Sequence, residues 1–439
     1  MGTARSSLRH AFRALRHRNF RLFLSGQFIS LVGTWMQSVA LGWLLYRLTH
    51  SPFLLGLAGF LTQIPSLVIS PLAGVFADRW HRHRLVIGTQ ALAMVQALAL
   101  SALVLSGREA IGPILLLNLL LGAVNAVDVP VRQSFVVEMV KGGEDLPNAI
   151  ALNSSAFNLA RLVGPSLAGI LVALVGEGVV FLLNGLSYLA VIAALLAIRV
   201  PPHSHRAQAD AELWSHLREG LSYVAAFKPI RAVLLLLAAV NLLGISATVI
   251  LPIFAGDVMH GDADTLGLLV GSIGVGALVG ALYMATRRSV LGLGQVIVAA
   301  VSLFGASLVL LSTCRRPLTA APVLVLAGFG MMVHMASSNT IVQTLVDPGK
   351  RGRVMSFYAV AFMGSAPFGN LLMGSVASRL GAPWAVCLGG LCCLAGAAAF
   401  ARALPALRAE VLPIYRRMGV MPREPASEVA CGPSEGGGE

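Results

Sequence analysis

The stretch "LLGLAGFLTQIPSLVISPLAGVFADRWHRHR" (54–84) combines the two features that decide the fold. Residues 54–76 contain no charged side chain, and about 20 such residues suffice to cross the hydrocarbon core of a bilayer as a helix. The run then ends in a polar cluster, 78–84, that holds one Asp, three Arg and two His. This pattern predicts a transmembrane helix followed by a loop at the membrane surface.

The composition of all 439 residues extends this prediction to the whole chain. Hydrophobic residues make up 56% and charged residues 12%, whereas soluble domains carry about 25% charged residues. Only helices or closed barrels can span lipid, and the apolar runs lack the alternation of barrel strands. We therefore predict an all-α membrane protein with about twelve spans: 20–48, 53–77, 84–106, 111–139, 148–173, 178–199, 231–255, 264–286, 291–312, 319–345, 353–378 and 382–404.

The segments between and beyond the spans divide the chain into five parts. A basic segment (1–19) precedes the first six spans (20–200), and a linker (201–230) separates these from the last six (231–404). The linker has Leu213, Leu217, Leu221 and Val224 at helical spacing, which predicts an amphipathic helix on the membrane surface. The polar, Gly-rich tail (405–439) is predicted to be disordered.

The distribution of Lys and Arg predicts the topology. With the N-terminus in the cytoplasm, 25 of the 32 basic residues fall on the cytoplasmic side and 5 on the opposite side. The positive-inside rule therefore predicts that both termini are cytoplasmic. The first apolar run is a full span, so no cleavable signal peptide is predicted. The net charge of +13 is scattered between spans without a nucleic-acid motif, so no nucleic-acid partner is predicted.

The sequence carries no pattern of an enzyme or of a bound cofactor. The five Cys and the ten His show no metal-ligand spacing, and no Walker motif is present. No nucleophile, base and orienting group can be assembled from the motifs. We expect a monomer without metal or cofactor.

The two halves show signs of an internal repeat. Residues 122–140 can be laid on 328–346 at a constant offset of 206, which aligns Asp128 with His334. Transporters often consist of such repeated halves, with the substrate site between them near the middle of the membrane.

Two motifs resemble the major facilitator superfamily. Between spans 2 and 3 the chain has a Gly followed by Asp-Arg and further basic residues, and span 5 has an antiporter-type Gly-Pro motif, "RLVGPSLAG". His81 stands where the family often has a second Gly, and the corresponding loop 8–9 lacks the acid. Within the family, the segments "VPVRQSFVVEMV" and "NLARLVGPSLAG" resemble the enterobactin-exporter and macrolide-efflux branch. The motif residues are Gly74, Asp78, Arg79, Arg82 and Arg84 in the loop, and Gly164, Pro165 and Gly169 on span 5.

The resemblance implies a fold, a mechanism and a location. The fold would be two six-helix bundles in a bacterial inner membrane, and the protein would export a small molecule by alternating access in antiport with protons. The loop motif would latch the cytoplasmic ends of the two halves together. The alternative for this motif is a topology anchor whose Arg side chains contact lipid phosphates.

Polar residues inside the spans are the candidate transport pathway, because polar groups in lipid are costly and usually functional. They form stripes at helical spacing on spans 1, 4 and 5, the helices that face the cavity in the family. Asp128 can pair with Arg132 or Arg161, either to couple protons or as a structural ion pair. The candidates are Gln27, Thr34, Gln37, Asn125, Asp128, Arg132, Asn158, Arg161 and His334.

Two other functions remain open from the sequence. A protein of the same fold could flip lipids or lysolipids, and a protein of another class could be a membrane scaffold or sensor without transport. The intact loop motif and the polar stripes favour transport of a small, amphipathic molecule.

Overall fold

A computed structural model of the chain describes residues 13–79, 81–140, 145–198, 222–287, 289–346 and 350–417. Side chains are described in these ranges except at 70–79, 351–353 and 417. These ranges are helical and contain no strand, as predicted. The twelve long helices are α1 Arg18–Thr49, α2 Pro52–Arg79, α3 Arg82–Leu105, α4 Ile111–Met139, α5 146–175, α6 177–197, α7 Lys228–Val258, α8 Ala263–Thr286, α9 Leu293–Thr313, α10 Pro317–Leu345, α11 351–380 and α12 Ala382–Arg417.

Helices α5 and α6 form one continuous helical stretch, Leu146–Ala197, that is interrupted at Gly176. Gly176 has φ 79° and ψ 167°, a conformation that a residue with a Cβ avoids. The stretch of 52 residues is far longer than one crossing needs, so the break lets the chain cross twice. The predicted spans 148–173 and 178–199 lie on either side of it.

Helices α7 and α11 are irregular at facing positions. Each contains a π-helical turn, Val240–Gly244 in α7 and Val360–Gly364 in α11. The Asn241 side chain donates hydrogen bonds to the Phe362 carbonyl and to Ser365 Oγ, so it ties the two turns together. Such turns occur frequently at functional sites.

The helices pack as two six-helix bundles. In the first bundle α1 packs on α5 and α6, α2 on α4, and α3 on α6; in the second, α10 packs on α8 and α9 packs on α12. The bundles meet where α5 contacts α8 and where α2 contacts α11. Glycines allow both contacts: a Cβ on Gly169 would lie 2.9 Å from the Gly267 Cα, and a Cβ on Gly56 would lie 2.9 Å from the Gly374 Cα. Close approach through small residues is typical of helices in membranes.

The internal repeat has a counterpart in the helix bounds. Helices α4 (Ile111–Met139) and α10 (Pro317–Leu345) each have 29 residues and start and end 206 positions apart. This is the offset at which the two sequence segments align.

One predicted boundary needs correction. The sequence predicts that the last span ends at 404 and that a disordered tail follows, but α12 continues to Arg417. Leu407 is buried, and Val411 and Ile414 pack against the core one and two turns further on. This apolar stripe at helical spacing keeps the extension folded against the protein.

Part of the predicted linker and tail lies outside the described residues. The structure describes a short helix at 222–226 with Val224 buried, but residues 201–221 and 418–439 are not described.

Candidate functional site: the transport pathway

Asp128 lies in a hydrogen-bonded cluster between α3 and α4. Its Oδ1 accepts hydrogen bonds from Thr89 Oγ1 (2.7 Å) and Gln90 Nε2 (2.8 Å), and its Oδ2 accepts one from Arg132 Nε (3.0 Å). Asp128 is 3% exposed, so these partners take the place of water around its carboxylate. Because both oxygens have partners within the first bundle, the cluster stabilises the packing of α3 on α4.

Arg161 is not part of this cluster. Its guanidinium lies over the Trp35 ring of α1, 5.6 Å from the ring centre. Of the two pairings that the sequence left open for Asp128, the structure contains the one with Arg132 and not the one with Arg161.

The polar stripe of α1 also faces the interior of the first bundle. Gln37 donates to Gln96 Oε1 (3.0 Å) and accepts a hydrogen bond from Asn184 (2.7 Å), so one amide connects α1, α3 and α6. Thr34 donates to the Ser30 carbonyl. Gln27 is buried, and its Oε1 has no hydrogen-bond partner among the described residues.

The remaining pathway candidates are spread over three helices. Asn125 and Asn158 are half-buried, and Asn158 donates to the carbonyl one turn before it, at Ser154. His334 is fully buried in α10, with Nδ1 3.4 Å from Ser338 Oγ. Its Nε2 has no partner among the described residues.

The loop motif between α2 and α3 is described only in part. The side chains of Gly74, Asp78 and Arg79 lie outside the described residues. Arg82 NH1 contacts Glu138 Oε1 at 2.7 Å, a salt bridge within the first bundle, and Arg84 is exposed.

A cavity of about 860 Å³ lies next to this loop, between α2, α3 and α4. Its walls are mainly aliphatic, with Arg84 and His81 among the few polar side chains. Thr89 also lines the cavity, and its hydroxyl donates to Asp128, so this residue connects the cavity wall to the buried carboxylate.

The Gly-Pro motif of α5 lies where three helices meet. A Cβ on Gly164 would lie 2.5 Å from the Trp35 Cβ of α1, whereas Gly169 lies against Gly267 of α8. The two glycines therefore permit α5 to approach its own bundle on one side and the second bundle on the other. Pro165 between them is buried.

A contact that the sequence did not predict connects the two bundles. The Tyr46 hydroxyl of α1 donates a 2.6 Å hydrogen bond to Asp257 Oδ1 of α7, and His50 Nδ1 lies 3.4 Å from the same oxygen. We call this side of the protein the Tyr46 end. The Tyr46 ring packs directly on Gly256, whose missing side chain makes room for it. Because the contact joins segments 211 positions apart, no local spacing in the sequence could indicate it.

Arg47 forms an ion cluster near this contact, also at the Tyr46 end. Arg47 contacts Glu177 through Nε (2.8 Å) and Glu109 through NH2 (2.9 Å). These contacts join the end of α1 to the start of α6 and to the segment before α4. They hold the first bundle together on the side where Tyr46 contacts the second.

The opposite side of the protein, the Asp145 end, is fixed by a buried carboxylate before α5. Asp145 accepts a hydrogen bond from His17 Nε2 (2.8 Å) and contacts Arg16 NH2 (2.7 Å) and Arg13. The His17 hydrogen bond, together with the charges of Arg13 and Arg16, holds the pKa of Asp145 below its usual value. The cluster anchors the N-terminal segment to the start of α5.

Among the residues that the structure describes, no group of three or more His, Cys, Asp or Glu is placed to hold a metal ion. The chemistry of the described site consists of charge pairing, amide hydrogen bonds and aromatic surfaces.

Comparison with known proteins gives the family and the relatives. Residues 9–425 match a family of the major facilitator type described as transmembrane secretion effector. The chain is 24% identical over 370 residues to the staphyloferrin A transporter of Staphylococcus aureus, and this alignment covers 82% of the chain and 90% of the relative. It is 25% identical over 368 residues to the enterobactin exporter of Citrobacter koseri, with 83% of the chain and 86% of the relative covered. It is 22% identical over 371 residues to macrolide efflux protein A of Streptococcus pyogenes, with 82% and 90% covered.

Solved structures agree on the fold. A bacterial homologue of the iron transporter ferroportin in an inward-facing state superposes with a TM-score of 0.67 at 18% identity, covering 88% of this chain and 98% of that one. The predicted resemblance to the enterobactin-exporter and macrolide-efflux branch is confirmed.

Proposed function

Because the chain belongs to the transmembrane secretion effector family of major facilitator transporters, we propose that it exports a small, amphipathic molecule by alternating access. The chain is a multi-pass transporter of the bacterial inner membrane and its relatives are transporters, not enzymes. The observation that carries the proposal is the match over most of the chain to proteins named as exporters of enterobactin and of macrolides.

Alternating access needs a contact between the bundles that can open. The hydrogen bond between Tyr46 and Asp257 meets this requirement, because it joins the bundles at one end through two side chains. The glycine contacts between α5 and α8 supply smooth surfaces on which the bundles can rotate. We assign the Tyr46 end to the outside, since the excess of Lys and Arg lies at the other end. Both termini are then cytoplasmic.

Protons are the proposed coupling ion and Asp128 the group that carries them. The proposal is supported by a carboxylate that is buried within the span and accepts a hydrogen bond from Thr89, a residue that lines a cavity of about 860 Å³. Release of Arg132 in one conformation would let Asp128 accept a proton, and renewed pairing would expel it. The transporter acts as a monomer in this proposal.

The function can be tested in cells first and then with purified protein. A deletion strain should lose secretion of one metabolite, or become more susceptible to one class of compound, and expression of the chain should restore either property. The same compound should move through proteoliposomes that contain the protein. Wild-type secretion and susceptibility in the deletion strain, with no flux in liposomes, would contradict export and favour a scaffold or sensor. Movement of lipid alone would favour a flippase.

A further inference from the structure

Arg161 carries a positive charge that the described part of the protein does not neutralise. It lies about half-way along α5, roughly 22 Å from the helix start at 1.5 Å per residue. A charged group at this depth is costly and is normally paired. Arg132 has Asp128 and Arg47 has two glutamates. Among the described residues, Arg161 has neither an acidic partner nor a hydrogen-bond acceptor.

The position of Arg161 is at the contact between the two bundles. A Cβ on Gly274 of α8 would lie 3.3 Å from the Arg161 carbonyl oxygen, so α5 meets the second bundle at this residue. Trp35 approaches from α1 of the first bundle. Arg161 therefore lies where a substrate that passes between the bundles would contact it.

Aromatic rings extend this surface. Trp35 lies beneath the guanidinium, and its ring meets the Phe157 ring edge to face at 5.8 Å and 70°. Phe157 is 42% exposed and Trp35 is half-buried, so both rings keep surface that a ligand can cover. The Arg161 guanidinium has no acceptor among the described residues, so its forked N–H groups can take a planar oxyanion such as a carboxylate.

We propose that Arg161, Trp35 and Phe157 form the binding site for an organic anion, a carboxylate attached to a planar apolar ring, in the transport pathway. The carboxylate pairs with Arg161, and the apolar ring packs on Trp35 and Phe157. The inference rests on the proposed export function, because it names the class of molecule exported. It also accounts for an arginine in the middle of a membrane helix that has no acidic partner among the described residues.

The test compares matched acids and amides on the purified, full-length protein. The probes are benzoate, 2-naphthoate and indole-3-acetate, each beside its primary amide. The other four of the five tryptophans are replaced, so that quenching of Trp35 fluorescence reports ligand binding at the site. At least one acid should bind about tenfold or more tightly than its amide, the advantage expected of a charge-assisted pair.

Variants then locate the origin of this preference. Arg161→Gln should remove the preference for the acid while the amide binds as before, which also shows that the site is still folded. Arg161→Lys should retain part of the preference, because the charge remains but the forked geometry is lost. Arg379→Gln, an exposed arginine elsewhere in the chain, is the matched control and should bind like the parent protein.

The inference is overturned if no acid binds more tightly than its amide, or if the preference persists in Arg161→Gln. Flux measurements with the same compounds separate this failure from that of the proposed function. Export of neutral or cationic compounds that is unaffected by Arg161→Gln contradicts the anion site and leaves export standing. Selective binding of acids without any export leaves the site standing and contradicts the proposed function.

Discussion

The Tyr46 hydroxyl donates its hydrogen bond to Asp257 across the boundary between the two bundles, over a distance of 2.6 Å. A hydrogen bond to a charged acceptor contributes about 1.5–3 kcal/mol, and the half-exposed Asp257 places this one toward the lower value, which corresponds to a shift of roughly 10-fold in an equilibrium. The bond is thus strong enough to bias a conformational equilibrium and weak enough to break within a transport cycle.

Loss of the Asp257 charge should open the Tyr46 end. Asp257→Asn weakens the hydrogen bond from Tyr46, and we expect a cysteine at Ser51 to react faster with a membrane-impermeant maleimide. The control is Asp264→Asn, at an exposed acid of the same end whose described hydrogen bond is to the neighbouring Thr265 N–H. Equal reaction rates in the two variants would show that the Tyr46–Asp257 contact does not close this end.

A side chain at position 256 should have the same effect by a steric route. The Cβ in Gly256→Ala would overlap the Tyr46 ring, which must move away from Asp257. The maleimide rate at Ser51→Cys should rise as it does in Asp257→Asn. Gly112→Ala is the matched control, because a Cβ there meets no atom within 4 Å. A rate in Gly256→Ala like that of Gly112→Ala would mean that Tyr46 does not depend on this packing.

Much of this architecture follows from the sequence, because lipid imposes a length and an apolar surface on every crossing. The twelve spans, the break near Gly176 and the basic cluster after α2 are all local patterns of this kind. The stripe on α4 also predicts the Asp128–Arg132 pair, because these residues are four positions apart. The stripes did not show which neighbouring helix each polar face contacts. For example, the stripe on α1 does not indicate that Gln37 forms its hydrogen bond with Gln96 of the same bundle.

The contacts that join distant segments could not be predicted from spacing. Tyr46 with Asp257, Trp35 with Arg161 and Asp145 with His17 each bring together residues more than 100 positions apart. Their partners are fixed by how the helices pack, which depends on many small residues at once.

The cluster at the Asp145 end should make stability depend on pH. Because its pKa is held below the usual value, the Asp145 carboxylate contributes stability above the unfolded-state pKa, about 3.9. That contribution disappears as the pH falls through the lower folded-state value. Asp145→Asn should therefore lower the melting temperature of the detergent-solubilised protein at pH 7, and its difference from the parent should vanish at sufficiently acidic pH. If the difference in melting temperature between Asp145→Asn and the parent is the same at pH 7 and at acidic pH, the charge of Asp145 has no such role. Asp264→Asn is the control and should melt like the parent at pH 7.

Removal of the Asp128 charge should uncouple transport from protons. Asp128→Asn keeps the size of the side chain but replaces one accepting oxygen with an NH2 group and cannot bind or release the coupling proton. Export driven uphill by a pH difference should therefore be lost while exchange of substrate continues. Because Arg132 would be left without its counter-charge, the double variant Asp128→Asn/Arg132→Gln should fold better and remain uncoupled. Glu138→Gln removes another carboxylate of α4, which pairs with Arg82 of α3, and this variant should stay coupled. Uphill export by the double variant would exclude Asp128 as the coupling group.

Alternating access itself can be measured directly without knowing the substrate. Spin labels at Arg108 and Arg316, exposed residues of the two bundles at the Tyr46 end, report its opening. Labels at Arg84 and Arg287 report the Asp145 end, in a cysteine-free background. Distances between the labels, measured by double electron–electron resonance, should show that Asp257→Asn lengthens the separation at the Tyr46 end and shortens the separation at the Asp145 end. Distances that stay at parent values at both ends, or that lengthen at both, would contradict alternating access controlled by Tyr46 and Asp257.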